Sequence, residues 1–243
     1  MDEKAALKAF YEQCGEKYPE EEIVYKTLRG RLRKRFVLRY LQSFTGSLLE
    51  IGCNRGMYLQ AYNNGPRFGI DLSSSVLSQA HTGKPVSLAV ADAEQLCFHS
   101  KSFDNVLCSE VLEHCLHPEE LFSGITEVLK TNGFALLTTP NYNKKRPGYV
   151  ELGTLKAFDV DCGCGDSYFH TAYKPQELIE MAGRAGLFVL DVGTLEKEVK
   201  YAAKIPVLVL IFGRFVNRFI KSDAFELWNV SFFQQFSNWL CWR

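Results

Sequence analysis

The chain has 243 residues, 47% of them hydrophobic, which is enough for one α/β domain with a core that buries most of its apolar side chains. Lys and Arg total 28 and so do Asp and Glu, so net charge gives no argument for a polyanionic partner. The start, Met1-Asp-Glu-Lys-Ala-Ala-Leu, lacks the basic and apolar run of a secretory leader. A cytoplasmic protein is therefore expected, with Cys53, Cys97, Cys108 and Cys115 as buried thiols rather than disulfides.

Residues 3–13 and 20–43 read as helices, an N-terminal helical cap over residues 1–44. In the second helix Leu28, Leu32, Phe36 and Tyr40 recur every fourth residue and predict one apolar stripe. Its other faces carry Arg29, Arg31, Arg33, Lys34, Arg35 and Arg39, suited either to solvent or to phosphate on a lipid head group or a nucleic acid. Leu48, Leu49 and Ile51 then form a short strand ending in the turn Gly52-Cys53-Asn54-Arg55-Gly56, which opens a helix. Gly52 allows a sharp bend and a close ligand, and free N–H groups at a helix start suit an anionic group. A second strand, from Arg67 to Ile70, ends at Asp71, twenty-one residues after Glu50, where a carboxylate can accept from both hydroxyls of a ribose. The alternative for Asp71, with Leu72 and the serines after it, is a helix cap.

A third strand (residues 86–90) leads to Asp92-Ala93, and a fourth, from Phe103, ends at Ser109. Strands alternating with helices predict a parallel sheet with right-handed crossovers, and ligands then bind at the strand carboxyl ends. Glu50, Asp71, Asp92 and Ser109 all fall at such ends, which marks a nucleoside-cofactor site.

The run Glu50-x-Gly52-x-x-x-Gly56 departs from the three-glycine nicotinamide pattern and resembles the first motif of the class I S-adenosylmethionine methyltransferases. Ala91-Asp92-Ala93 resembles that family's adenine corner, Phe103 to Ser109 its fourth strand, Glu110 to His114 the helix start after it, and residues 134–141 its fifth strand. Residues 170–186 and 187–192 resemble its last helix and sixth strand. Asn54 departs from the family's glycine loop. The resemblance covers roughly residues 45–193 and implies a Rossmann-like, doubly wound, mostly parallel sheet of seven strands with helices on both faces. It further implies S-adenosylmethionine as cofactor. Glu50, Gly52, Cys53 and Gly56 would line the methionine part, Asp71 and Leu72 the ribose, Asp92 and Ala93 the adenine, and Ser109 the methionine end.

Glu110, Glu113 and His114 share one face if a helix begins near Ser109. The element is similar to that of ubiquinone-pathway O-methyltransferases and of small-RNA ribose 2′-O-methyltransferases. Three readings stay open: a divalent metal held by Glu110, Glu113, His114 and His170; His114 as a catalytic base or orienter for an acceptor hydroxyl; or a capped helix start. Residues 141–173 read as a long loop over the acceptor, with Cys162-Gly-Cys164 as part of the pocket rather than a zinc site. Lys144, Lys145 and Arg146 suit an acidic acceptor or a solvated turn.

Residues 194–243 hold an apolar run too short to span a bilayer, which needs about 20 residues. The segment 205–212 reads as a seventh strand or as part of a basic amphipathic helix. Trp228, Trp239 and Trp242 with Arg214, Arg218 and Lys221 suit peripheral membrane contact through residues 205–243, or packing on the core. The expected acceptor is a small or lipid-linked molecule methylated on oxygen. The alternatives are RNA, which the neutral charge and missing RNA-binding module disfavour, and a cofactor-binding scaffold without catalysis.

Overall fold

The computed structural model describes residues 3–80, 83–142, 145–163, 165–194, 208–213, 215–219, 225, 228 and 232. They pack as two compact units, one of Met1–Pro19 and Val37–Val192, the other of Glu20–Phe36 and Gly193–Arg243.

The first unit is an α/β sheet structure. After helix α1 (Glu3–Lys17) and the carboxyl half of α3 (Leu28–Ser43) come β1 (Leu48–Ile51), α4 (Met57–Ala61), β2 (Arg67–Asp71), α5 (Ser74–Ser78), β3 (Ser87–Val90) and β4 (Phe103–Ser109). Then follow α6 (Pro118–Val128), β5 (Leu129–Thr138), the hairpin strands β6 (Tyr149–Glu151) and β7 (Ser167–Phe169), and α7 (Pro175–Arg184). The five strands β3-β2-β1-β4-β5 form one parallel sheet in that order. All four residues of β1 are buried, the condition of a central strand covered on both faces. One side of β1 (Leu49, Ile51) joins Val106 and Cys108 of β4, Leu121 and Ile125 of α6 and Met181 of α7 in the main core. This is the expected Rossmann-like class.

Five sequence expectations change. Seven strands are not formed in this sheet among the described residues. Residues 187–192 form no strand, with Leu187 and Val189 on the core and Phe188 and Leu190 exposed, and residues 208–213 are helical rather than a strand. Residues 205–207 lie outside the described set. The single helix over 20–43 is two, α2 (Glu20–Ile23) and α3 (Leu28–Ser43). Thr27 separates them: its hydroxyl donates to Val24 O and accepts from Gly30 N at 3.0 Å, the geometry of an N-cap. Along the carboxyl half of α3 the buried line is Val37 and Leu41, followed by Phe44, instead of Phe36 and Tyr40. Finally, residues 141–173 are not a structureless loop. Tyr149 pairs with Phe169 and Glu151 with Ser167 in the β6–β7 hairpin, and Cys162 is buried with Phe10, Leu152 and Val160. Its thiol donates to the carbonyls of Gly165 and Ser167, while Cys164 and Lys144 lie outside the described residues. Arg146 pairs with Glu177 and stacks over Tyr142 and Tyr173. Of the four thiols expected to be buried, Cys97 is exposed.

Candidate active site

Parallel register brings the predicted residues level. Ile51 is opposite both Ile70 of β2 and Cys108 of β4, and Asp71 is opposite Val90 of β3. Glu50, Asp71, Asp92 and Ser109 therefore stand along one edge of four adjacent strands.

The turn after β1 depends on its glycine. Gly52 has φ +67°, and a Cβ there would stand 2.2 Å from Val111 Cγ2. Asn54, at φ 48°, takes the left-handed conformation where a second glycine was expected. The turn does not offer free amides to an anion. The N–H of Cys53 donates to Ile70 O, that of Asn54 to Asp71 Oδ2 at 2.9 Å, that of Arg55 to Asn54 Oδ1, and that of Gly56 to Cys53 O. Within the turn the amides of residues 53–56 are thus taken by the protein's own acceptors, and the turn serves to place backbone.

Glu50 is 3% exposed, and burial holds its carboxyl well above the usual carboxylate range. One interaction is with the Leu59 amide of α4, while Oε2 is buried with no partner among the described residues. A buried carboxyl oxygen without a donor fits an ammonium group, such as that of a bound amino acid. Asp71 is half-buried, and burial pushes its pKa up against hydrogen bonds from the amides of Ser73 and Asn54. Its carboxylate fastens the β1 turn to the start of α5, and each oxygen keeps a second lone pair for a hydroxyl. Leu72 next to it is half-buried. Asp92 accepts the Glu94 amide at 2.9 Å and the ammonium of Lys4 at 3.1 Å. The Ala93 N–H has no acceptor among the described residues. Cys53 is buried beneath the turn and burial pushes its thiol up, so it packs as an apolar group.

Beyond β4 the chain departs from the predicted helix. Glu110 takes φ 59°, and only Leu112–His114 form a single 3-10 turn. The Glu110 amide donates to Thr138 O, and its carboxylate accepts from the Thr138 hydroxyl, which also meets Ser109 Oγ at 2.9 Å. Glu113 is 1% exposed and accepts from Thr139 Oγ1 at 3.1 Å. His114 Nε2 lies 3.9 Å from Glu113 Oε1, and Nδ1 lies 3.4 Å from Phe169 O. Around His114 the rings of Tyr11 and His170 stand edge-on at 5.3 and 4.9 Å. The structure thus brings Glu113, His114 and His170 together and sends Glu110 elsewhere. No group of three His, Cys, Asp or Glu able to hold a metal exists among the described residues. The four residues expected as a metal set do not fit a metal, because Glu110 turns to Thr138 and Nδ1 of His114 faces a carbonyl. Burial, with His170 beside it, pushes His114 down to about 3, so its imidazole is neutral at pH 7.

Three residues outside the sequence expectations belong to the site, all on α1. Lys4 bridges Asp92 and Glu94, Tyr11 packs on His114, and Glu12 accepts from the amides of Ser74 and Ser75 at the start of α5. Those amides and the adjoining hydroxyls outweigh burial and hold Glu12 down at about 2. Nothing local in the sequence marks these contacts, which join residues some 60 to 100 positions apart.

A family model for a methyltransferase domain matches residues 49–137. Those residues run from β1 to β5 and contain the whole strand edge just described. Residues 49–137 form a methyltransferase domain of the class I S-adenosylmethionine-dependent type. An uncharacterized protein of Methanocaldococcus jannaschii is 30% identical over 140 residues, 57% of this chain and 53% of that protein. The match thus spans about half the length of this relative. The ubiquinone biosynthesis O-methyltransferase of Chromobacterium violaceum is 27% identical over 187 residues, 73% of this chain and 80% of that enzyme. Among solved structures, phosphoethanolamine N-methyltransferase 2 of Haemonchus contortus, in complex with S-adenosyl-L-methionine, shares the fold with TM-score 0.51 at 18% identity. That match covers 89% of this chain and 54% of the enzyme. The methyltransferase's own residues fit the cofactor: a partnerless buried carboxyl oxygen on Glu50, spare lone pairs on Asp71 and a free amide at Ala93.

Proposed function

We propose that this methyltransferase transfers a methyl group to a hydroxyl oxygen of a small or lipid-linked acceptor. The observation that carries the reading is the neutral His114, held against Tyr11, His170 and Glu113 beside the strand edge. Similarity to a ubiquinone biosynthesis O-methyltransferase supports oxygen as the target.

S-adenosylmethionine supplies a methyl group on a positively charged sulfur, already activated for transfer to a nucleophile. Glu50 Oε2 would take the ammonium of its amino-acid part, Asp71 the ribose hydroxyls, and Asp92 with the Ala93 N–H the adenine edge. Ser109, tied to Thr138, closes the methionine end. His114 orients the acceptor hydroxyl through a lone pair and takes its proton as the oxygen forms its new bond to carbon. Methyl transfer leaves the electron pair of the broken bond on sulfur. Holding the reacting atoms about 3–3.5 Å apart and in line supplies most of the rate. An imidazole that stays unprotonated at neutral pH is always in the form that accepts a proton, although it is a weak base.

The RNA reading drew on the E-x-x-E-H element and on the basic helix, and the turned-away Glu110 removes the shared face of the first. Radiolabelled methyl donor with lipid extract, or with RNA, decides the acceptor. Label in lipid that is released by ether cleavage supports the proposal, label in RNA replaces it, and label in neither favours the scaffold.

A further inference from the structure

The balanced charge of the chain conceals a strong partition. The unit of Glu20–Phe36 and Gly193–Arg243 carries 13 Lys and Arg against 7 Asp and Glu, whereas the rest carries 15 against 21. A chain with formal net charge +0 therefore consists of a unit at +6 and a unit at −6.

The positive unit also exposes apolar surface in a regular pattern. Residues 208–213 and 215–219 are helical. Leu208, Ile211 and Phe212 are 63, 58 and 68% exposed, at the i, i+3, i+4 spacing of one helix face. Phe215 and Phe219, i and i+4, are 58 and 74% exposed, and their rings meet at 5.3 Å. Val209, Leu210 and Val216 are less exposed, so the apolar exposure is one-sided. Arg218 is exposed beside this face, and Trp228 is exposed with its ring stacked 5.4 Å from Phe232. In the same unit Arg29 is exposed, and Arg31, Arg33, Lys34 and Arg35 are partly so.

Large apolar side chains along one helix face with Trp, Phe and a surplus of Lys and Arg are the composition of an element that lies in a membrane interface. No helix among the described residues is long and apolar enough to cross a membrane. We propose that the unit of Glu20–Phe36 and Gly193–Arg243 docks on an anionic lipid surface. Leu208, Ile211, Phe212, Phe215 and Phe219 enter the boundary between head groups and acyl chains, and the excess positive charge meets the lipid phosphates. Charge complementarity selects this occupant: the surface must be negative, and it must also remove five large apolar side chains from water. A nucleic acid backbone meets the first demand and offers nothing for the second.

Flotation of the whole chain with vesicles tests the docking. Pure phosphatidylcholine vesicles are compared with vesicles holding roughly one-third phosphatidylglycerol. The expected result is binding to the anionic vesicles at least about tenfold tighter than to the neutral ones, weakened by salt. The double variant Phe215→Ser/Phe219→Ser loses about tenfold or more of that binding, while calorimetry with S-adenosylhomocysteine shows its cofactor site unchanged. Arg218→Glu lowers binding to anionic vesicles only. Three results overturn the proposal: no association of folded wild-type protein with either vesicle, equal binding of the phenylalanine variant, or a concentration-dependent dimer that the phenylalanine variant abolishes.

Discussion

Two carboxylates on neighbouring strands, Glu50 and Asp71, do different work although both are held above their ordinary pKa by burial. Glu50 keeps an oxygen without a partner, while both oxygens of Asp71 already accept backbone amides. Asp71→Ala should weaken S-adenosylhomocysteine binding more than about tenfold by calorimetry, since it removes ribose contacts and also frees the Asn54 amide. Unchanged affinity would remove the ribose assignment. His114 gives a pH signature. Its folded-state pKa, about 3, lies below the ordinary value of 6.5, so below pH 6.5 the unfolded chain binds a proton that the folded chain refuses. Its contribution is fully present above pH 6.5 and is lost as pH falls toward 3, by at most about 1.4 kcal/mol per pH unit. Denaturation midpoints at pH 7 and pH 5 should therefore fall further in the wild type than in His114→Asn, and equal losses would refute a buried neutral imidazole. The strand-end residues were legible because a parallel strand always delivers its last side chains to the same edge. The Glu110–His114 face was not, because whether Glu110 starts a helix or turns away depends on Thr138, a residue on the next strand.

Among elements, the turn after β1 shows how sequence and packing agree. Gly52 combines a left-handed φ with a Val111 methyl group lying where its Cβ would be. Gly52→Ala should cost about 1–3 kcal/mol in chemical denaturation, and Val111→Ala should recover part of it by withdrawing Cγ2. No recovery would place the whole cost in the backbone angle. The break at Thr27 was hidden because Val24 continues the fourfold apolar spacing of Leu28, Leu32, Phe36 and Tyr40 across it, whereas the cap that divides the helices is one hydroxyl. The sixth strand misled for a related reason. Residues 187–192 alternate as a strand should, yet a strand needs a neighbour as well as a pattern, and none is present beside them among the described residues. Helix α1 is the element whose importance the sequence concealed most. Glu12→Gln removes the charge that sits on two amides of α5 and should lower stability by roughly 1 kcal/mol, measured by thermal denaturation at pH 7. An unchanged midpoint would show that the Glu12 charge adds nothing to the hold on α1.

At the scale of the molecule the α/β class with a parallel sheet follows from the alternation of strands and helices, because right-handed crossovers leave few topologies. The partition of charge between two packing units could not be read the same way, since the positive unit joins residues 20–36 to residues beyond 193. Acid should act on the first unit through Glu12 and Asp104. Asp104 is held at about 2 by Lys130 and Ser47, and Glu12 at about 2 by the start of α5. Both contributions are present above the ordinary carboxylate range and disappear as pH falls to 2, so neutralising Lys130 (Lys130→Met) should flatten the acid limb of a stability profile. A profile identical to wild type would deny Asp104 that part.

One rod of fifteen residues touches three separate stations: Lys4 rests on Asp92, Glu12 on the first turn of α5, and Tyr11 on His114. The Asp92 strand end, the opening of α5 and the His114 ring thus lean on a common brace, so a change that loosens it at one station should reach the other two.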